Sequence, residues 1–108
     1  MIGENYIIEK ELVIREVVHV KYIGSLSSEK EEAVRKAIAV VSSYDNITVN
    51  RTKIHTLYDY TDDFMNYEVD VYCHYRKKIQ ADNIESAEET AKLFLYEESF
   101  YPKIIRIE

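Results

Sequence analysis

Three histidines are the side chains of this sequence that most readily bind a metal ion. His19 and His74 fall on outward-pointing positions of two segments that alternate like β-strands, and His55 lies in a third segment. Imidazole nitrogens are common Zn²⁺ ligands, and catalytic zinc sites often combine three protein ligands with a water molecule. If a bulge turns His55 the same way, the three imidazoles share one surface. One alternative prediction is therefore a metal-dependent enzyme, although the sequence contains no H-x-H, H-E-x-x-H or C-x-x-C motif.

Other catalytic constellations are missing from the sequence. Glycine occurs only at positions 3 and 24, so neither a phosphate-binding glycine loop nor a G-x-S-x-G elbow can form. Cys73 and His74 are adjacent on a predicted strand, where neighbouring side chains point to opposite faces and cannot act together. The sequence therefore predicts a protein without catalysis and without a cofactor.

Carboxylates are concentrated in two places, a loop and the second predicted helix. The loop lacks the ligand spacing of an EF-hand, so we do not predict calcium binding there. The net charge of −6 disfavours binding to nucleic-acid phosphates and favours a basic protein partner, or none. Rows of carboxylates can also imitate a nucleic-acid backbone, which gives a second alternative: an acidic inhibitor of a nucleic-acid-binding protein, such as a phage or mobile-element accessory factor. The predicted acidic surface consists of Asp59, Asp62, Asp63, Glu85, Glu88 and Glu89.

Strict alternation of apolar and polar residues predicts the strands that would position these groups. The longest alternating run is 66–80, and a long strand-like segment covers 6–23. A third strand is predicted over 47–60, and a short last one over 104–107. The positions expected to face the core of the two long strands are Leu12, Ile14, Val18 and Val20 in the first and Val69, Val71, Cys73 and Tyr75 in the second.

Two helices are predicted from capping signals followed by apolar residues at three- and four-residue spacing. Ser28 and Glu31 match a capping box, and so do Ser86 and Glu89. The buried stripes expected behind them are Ala33, Val34, Ala37, Ile38 and Val41 in the first helix and Ala87, Ala91, Leu93, Phe94 and Leu95 in the second.

The resulting order, β-α-β-β-α-β, resembles the ferredoxin-like fold. This resemblance implies an α+β protein with an antiparallel sheet of order 4-1-3-2 and both helices packed on one face. We expect residues 1–108 to form a single domain of this kind. A shared topology says little about activity, so function must be argued from the surface.

The sheet face opposite the helices is predicted to be open and to carry the contact surface. It mixes apolar, aromatic and charged side chains, and such a patch is uncommon on a small monomer. We therefore predict a protein-interaction module that forms a homodimer through this face. Nucleic-acid binding is disfavoured because the third strand lacks the aromatic run of RNA-recognition motifs. The predicted interface residues are Val13, Val17, His19, Tyr72, His74 and Arg76.

The expected location is the cytoplasm. Cys73 is the single cysteine, so no disulfide can form within the chain, and a reducing compartment is the simpler assumption. The first residues do not have the basic and apolar regions of a secretion signal, and no apolar run is long enough to span a membrane.

Overall fold

The computed structural model describes residues 3–61, 63–94 and 103–107. The described residues form six elements. They are β1 (Glu4–Lys21), α1 (Leu26–Ser42), β2 (Ile47–Thr61), β3 (Phe64–Ala81), α2 (Ile84–Phe94) and β4 (Lys103–Ile107). Within this described part, no helix is both long enough and apolar enough to cross a membrane.

The strands form one antiparallel sheet, in which β1 and β3 are the inner strands. Written from the edge at β2, the order is β2-β3-β1-β4. The chain divides into two compact units: unit 1 contains Met1–Glu11 and His74–Glu108, and unit 2 contains Leu12–Cys73. β1 and β3 each contribute residues to both units. In unit 2, α1 packs against β2; in unit 1, α2 packs against β4.

The predicted ferredoxin-like class is wrong. The sheet is a four-stranded antiparallel half-barrel, and α1 belongs to unit 2 while α2 belongs to unit 1. Strand length explains the difference. β1 and β3 have 18 residues each and α1 has 17, yet a strand rises about 3.3 Å per residue and a helix only about 1.5 Å. One helix therefore covers less than half of each long strand.

The predicted core positions of the two inner strands are largely confirmed. Leu12, Val18 and Val20 are buried in β1, and the odd-numbered residues of β3 from Tyr67 to Tyr75 are almost fully inaccessible. Ile14 is half-buried. The residues that alternate with them therefore form the other face of the sheet.

Both helices begin earlier than the capping boxes predicted. α1 begins at Leu26 after Ser25, whose side chain makes no capping hydrogen bond. α2 begins at Ile84, and the side-chain oxygen of Asn83 accepts a hydrogen bond from the amide of Ser86 at 2.8 Å. Ser28 and Ser86 are therefore helix residues rather than caps. Each serine lies three residues after the residue that flanks its helix.

The helices bury small residues at four-residue spacing. Ala33, Ala37 and Val41 are inaccessible in α1, as are Ala87 and Ala91 in α2. Leu93 was predicted to be buried but is 81% exposed. Leu95, another predicted core residue, lies outside the described part of the chain.

Candidate functional site

The candidate site is the face of the unit 2 sheet that lies opposite α1, here called the open face. Tyr67 and Met65 of β3 point towards α1, as shown by the hydrogen bond from Tyr67 to Glu29 and the cleft that Met65 lines with Leu26. The even-numbered residues of β3 therefore point the other way. The open face consists of Val13, Arg15, Val17 and His19 from β1, Arg51 and His55 from β2, and Asn66, Glu68, Asp70 and Tyr72 from β3.

Side-chain pairs show how β1 and β3 are aligned. Arg15 contacts Asp70, and His19 Nδ1 contacts the side-chain oxygen of Asn66. The second pair is four residues further along β1 and four residues back along β3, as expected for antiparallel strands. Two residues before Arg15 on β1 and two residues after Asp70 on β3, Val13 therefore lies opposite Tyr72.

Four charged or titratable residues form a cluster in the middle of the open face: Arg15, His55, Glu68 and Asp70, here called the arginine cluster. Arg15 Nε lies 2.7 Å from Glu68 Oε1 and 2.8 Å from Asp70 Oδ1, and Arg15 Nη2 lies 3.4 Å from Asp70 Oδ2. His55 Nε2 lies 3.0 Å from the same Oδ2 atom. Arg15 thus bridges two carboxylates, and Asp70 has partners on both neighbouring strands.

The electrostatics of the cluster follow from this geometry. Asp70 is only 6% exposed. Its pKa is lowered from 3.8 to about 2, chiefly by the hydrogen bond from Arg15 and further by His55, although burial acts in the opposite direction. The same hydrogen bond and the charge of Asp70 raise the pKa of Arg15. Asp70 is therefore a carboxylate held in its charged form.

His55, Glu68 and Asp70 are also a possible set of metal ligands. Their ligand atoms lie within 4.8 Å of one another. A histidine with two carboxylates suits a divalent transition metal, but Arg15 Nε already lies at hydrogen-bond distance from both carboxylates. A cation would have to displace that guanidinium, so the arrangement works as an internally paired cluster.

The three predicted histidine ligands have separate partners. His19 contacts Asn66, and His55 contacts Asp70, both within unit 2. In unit 1, His74 Nδ1 lies 2.8 Å from Glu11 Oε1. Of the predicted three, only His55 belongs to the group of ligand atoms found among the described residues.

Tyr72 makes a stacking contact within the open face. The guanidinium carbon of Arg51 lies 3.8 Å from the centre of the Tyr72 ring. At this distance the positive charge interacts with the negative face of the ring. Arg51 thus already covers one face of the Tyr72 ring, and that face is not available for stacking on a partner.

The remaining predicted interface residues are divided between the units. In unit 2, Val13 is 41% and Val17 is 52% exposed, and His19 is also exposed. In unit 1, Arg76 is exposed, and its Nε lies 3.4 Å from Glu9 Oε1. Two large apolar side chains of β1 are therefore accessible on either side of Arg15.

The outer edge of β1 in unit 2 has no strand neighbour in the described part of the chain. β4 pairs only with Asn5 to Glu9 of β1, so the pairing on that side ends before unit 2 begins. The amide of Tyr22 donates to the carbonyl of Asp63 at 2.6 Å on the β3 side. Backbone groups of alternate residues point to opposite edges, so those of Val13, Arg15 and Val17 point to the outer edge.

Only part of the predicted acidic surface lies within the residues that the structure describes. Glu85, Glu88 and Glu89 are exposed on α2, and Asp63 is exposed in unit 2. Asp62 and the side chain of Asp59 lie outside the described residues. The glutamates have the i, i+3, i+4 spacing of one helix side, so they form a short acidic row.

The arginine cluster and one buried acid, Glu29, were not predicted from the sequence pattern. Arg15, Glu68 and Asp70 alternate with the predicted core positions, but their contacts depend on the register between strands, which a single sequence does not give. Glu29 is 2% exposed. It lies four residues before Ala33, at the start of the buried stripe of α1, and that spacing was a signal for its burial.

Comparisons with known protein families, with curated proteins and with solved structures found no match for this chain.

Proposed function

We propose that this chain is a small cytoplasmic protein-interaction module that forms a homodimer through β1 in unit 2. The observation that carries this proposal is the position of two exposed valines, Val13 and Val17, on a strand whose outer edge lacks a described strand neighbour. An unpaired strand edge is a template for pairing with another chain. Exposed apolar residues beside such an edge favour association further.

The edge has few of the features that protect strand edges in monomers. Protective features include proline, bulges and charged side chains that extend past the edge. Residues 12–20 contain no proline. Arg15 is held by Glu68 and Asp70 over the sheet face. On α1, Lys36 Nζ donates to the carbonyl of His19 at 2.8 Å and covers one end of the edge. On this side, no described strand pairs with the backbone from Val13 to Val17.

A second copy of the chain suits this edge better than an unrelated strand. Apolar residues lie on both sides of Arg15 and Glu16, at 12–14 before them and at 17, 18 and 20 after them. When two antiparallel copies of this segment meet about a twofold axis, the apolar half of one faces the apolar half of the other. The arginine cluster is already paired internally, so burying it in the interface does not desolvate an isolated charge.

The cytoplasmic part of the proposal is supported by the cysteine content. Cys73 is the single cysteine of the chain, and its side chain is buried in unit 2. A structure that is packed without disulfides suits a reducing compartment.

The dimer is tested by sedimentation velocity on matched variants. Replacing both valines, V13D with V17D, is expected to convert the dimer to a monomer because each aspartate places a charge in the apolar contact. The control is V40D on α1, since Val40 is 40% exposed and therefore as accessible as Val13. That variant should remain dimeric.

A backbone variant separates edge pairing from face packing. Val17→Pro removes an amide that points to the outer edge, while the hydrogen bonds to β3 are kept. It should weaken the dimer if the edges pair, and circular dichroism should show an unchanged fold. A wild-type chain that stays strictly monomeric at high micromolar concentration contradicts the proposal.

A further inference from the structure

A second feature of unit 2, on the side of the sheet that carries α1, is a cleft of about 420 Å³. It lies beside the first turn of α1, between that helix and β2 and β3. The residues that line it are Tyr22, Gly24, Leu26, Glu29, Lys30, Thr56 and Met65. The cleft does not share a residue with the arginine cluster or with the proposed dimer edge.

Glu29 is an unusual wall residue because its carboxylate is buried and has little compensation. The residue is 2% exposed, and Tyr67 Oη donates a long hydrogen bond of 3.3 Å to Oε1. Within the described ranges, no lysine, arginine or histidine nitrogen lies within 4.0 Å of this carboxylate. A carboxylate can accept about four hydrogen bonds, so most of its capacity is available to a ligand in the cleft.

The position of Glu29 decides the sign of the charge that the cleft can accept. The first turn of a helix normally attracts anions through its free amides and its dipole. Here the Glu29 carboxylate already occupies that position, and a second anion would be repelled. A cation would supply the missing partner for a buried carboxylate, which is costly when it is left alone.

Apart from the half-buried Lys30, the rest of the wall suits an apolar stem behind the charged group. Tyr22 and Leu26 are each 55% exposed at the mouth of the cleft, and Met65 is buried beside them. Thr56 adds a hydroxyl that can accept a hydrogen bond. An alkyl chain ending in an ammonium or guanidinium group would cover the exposed side chains and place its charge beside Glu29.

We infer that this cleft is a binding site for an organic cation on an apolar stem, the chemistry shared by lysine and arginine side chains and by free alkylamines. The inference is independent of the proposed dimer. Tight binding requires the charge, the apolar stem and the hydrogen-bond donors together. Glu29 binds the cationic group through its carboxylate, and Tyr22 and Leu26 contact the stem at the mouth of the cleft.

The test uses two small probes and the full chain. n-Butylguanidinium and n-butylammonium are titrated into the isotope-labelled protein, and backbone amide shifts are followed by NMR. We expect saturable shifts at Leu26, Lys30, Thr56 and Met65. The matched controls are n-butanol, which has the stem without the charge, and butyrate, which has the opposite charge. Equal binding of n-butanol, or no saturable shift with either cation, overturns the inference.

Substitutions in the cleft test which side chain binds the cation. Glu29→Gln keeps the shape and removes the charge, and it should weaken n-butylguanidinium binding about tenfold or more. Glu31→Gln removes an exposed charge from the same helix and should leave the affinity unchanged. If Glu29→Gln does not fold, Leu26→Ser tests the mouth instead, and it should weaken binding of the same probe several-fold. Unchanged affinity in either cleft variant overturns the inference.

A final arm identifies the source of the cation. A capped Gly-Arg-Gly peptide and spermidine are compared with n-butylguanidinium in the same titration. Tighter binding of the peptide assigns the cleft to a protein side chain, and tighter binding of spermidine assigns it to a free amine. Failure of both to compete with n-butylguanidinium contradicts a site for natural cations.

Discussion

The described residues of unit 2 include two buried carboxylates, Asp70 and Glu29, whose charges are compensated in different ways. Asp70 receives hydrogen bonds from Arg15 and His55, which approach from the two strands beside it. Glu29 lies at the start of α1, and its carboxylate receives a hydrogen bond from the phenol of Tyr67. A sheet face brings charged side chains of neighbouring strands together at short range. The buried side of a helix instead meets mostly apolar residues, so an acid placed there depends on the helix dipole or on a ligand.

The two acids have different roles because their surroundings differ. Asp70 is already paired, so its charge contributes to the stability of unit 2. Glu29 is buried without a nearby cation among the described residues, so its charge is suited to binding. Substitutions that remove only the charge should therefore change stability in opposite directions at the two positions.

The largest expected effect is at Asp70. Asp70→Asn removes the charge that holds Arg15 and His55, and the free energy of unfolding at pH 7 should fall by about 1–2 kcal/mol. A pKa lowered from 3.8 to about 2 corresponds to roughly 2.5 kcal/mol at about 1.4 kcal/mol per unit. We expect less than that because Arg15 is 61% exposed and its charge is screened by water. Urea denaturation with a constant m-value measures the difference.

The control for this variant is an acid that also pairs with arginine but on an open surface. Glu32 of α1 contacts Arg35, three residues further along the helix, and its pKa is lowered by that hydrogen bond. Glu32→Gln should leave the free energy of unfolding nearly unchanged, since exposed pairs contribute little. Equal losses in the two variants would show that burial of Asp70 does not strengthen its pairing.

The pH dependence provides a second check on Asp70. Its pKa is lower in the folded chain than in the unfolded chain, so the unfolded state takes up the proton first as the pH falls. The stability that Asp70 contributes is complete above pH 4 and is lost between about pH 4 and pH 2. The difference in free energy of unfolding between wild type and Asp70→Asn should shrink across this range. A difference that stays constant down to pH 2 would contradict the pairing with Arg15.

The alternation in β1 and β3 explains why part of this fold was predictable. The positions predicted to face the core, such as Val71 and Cys73, are inaccessible because a period of two fixes the face of each residue. Side-chain alternation does not predict how strongly a sheet curves, and it does not predict how much of a strand a helix covers. The two compact units and the half-barrel form were therefore missed.

The arginine cluster was missed for a related reason. Alternation placed Arg15 and Asp70 on one face, but only the pairing of β1 with β3 brings them within 2.8 Å. The partners of the three histidines also depend on register: His19 contacts Asn66, His55 contacts Asp70 and His74 contacts Glu11. The burial of Glu29 was not predicted either, because the capping box of Ser28 and Glu31 predicts a later helix start than Leu26.

The smallest expected effect is at Glu29, and its sign matters more than its size. Glu29→Gln loses a favourable interaction with the helix dipole of about 0.5 kcal/mol. It also removes a buried charge without a cationic partner, and the amide oxygen can still accept the hydrogen bond from Tyr67. Since the penalty of an unpaired buried charge exceeds the dipole term, the free energy of unfolding should rise by up to about 1 kcal/mol. The urea midpoint in the absence of added amines measures it, with Glu31→Gln as the exposed control. A loss as large as that of Asp70→Asn would show that a compensating charge already reaches Glu29 and that the two acids share one role.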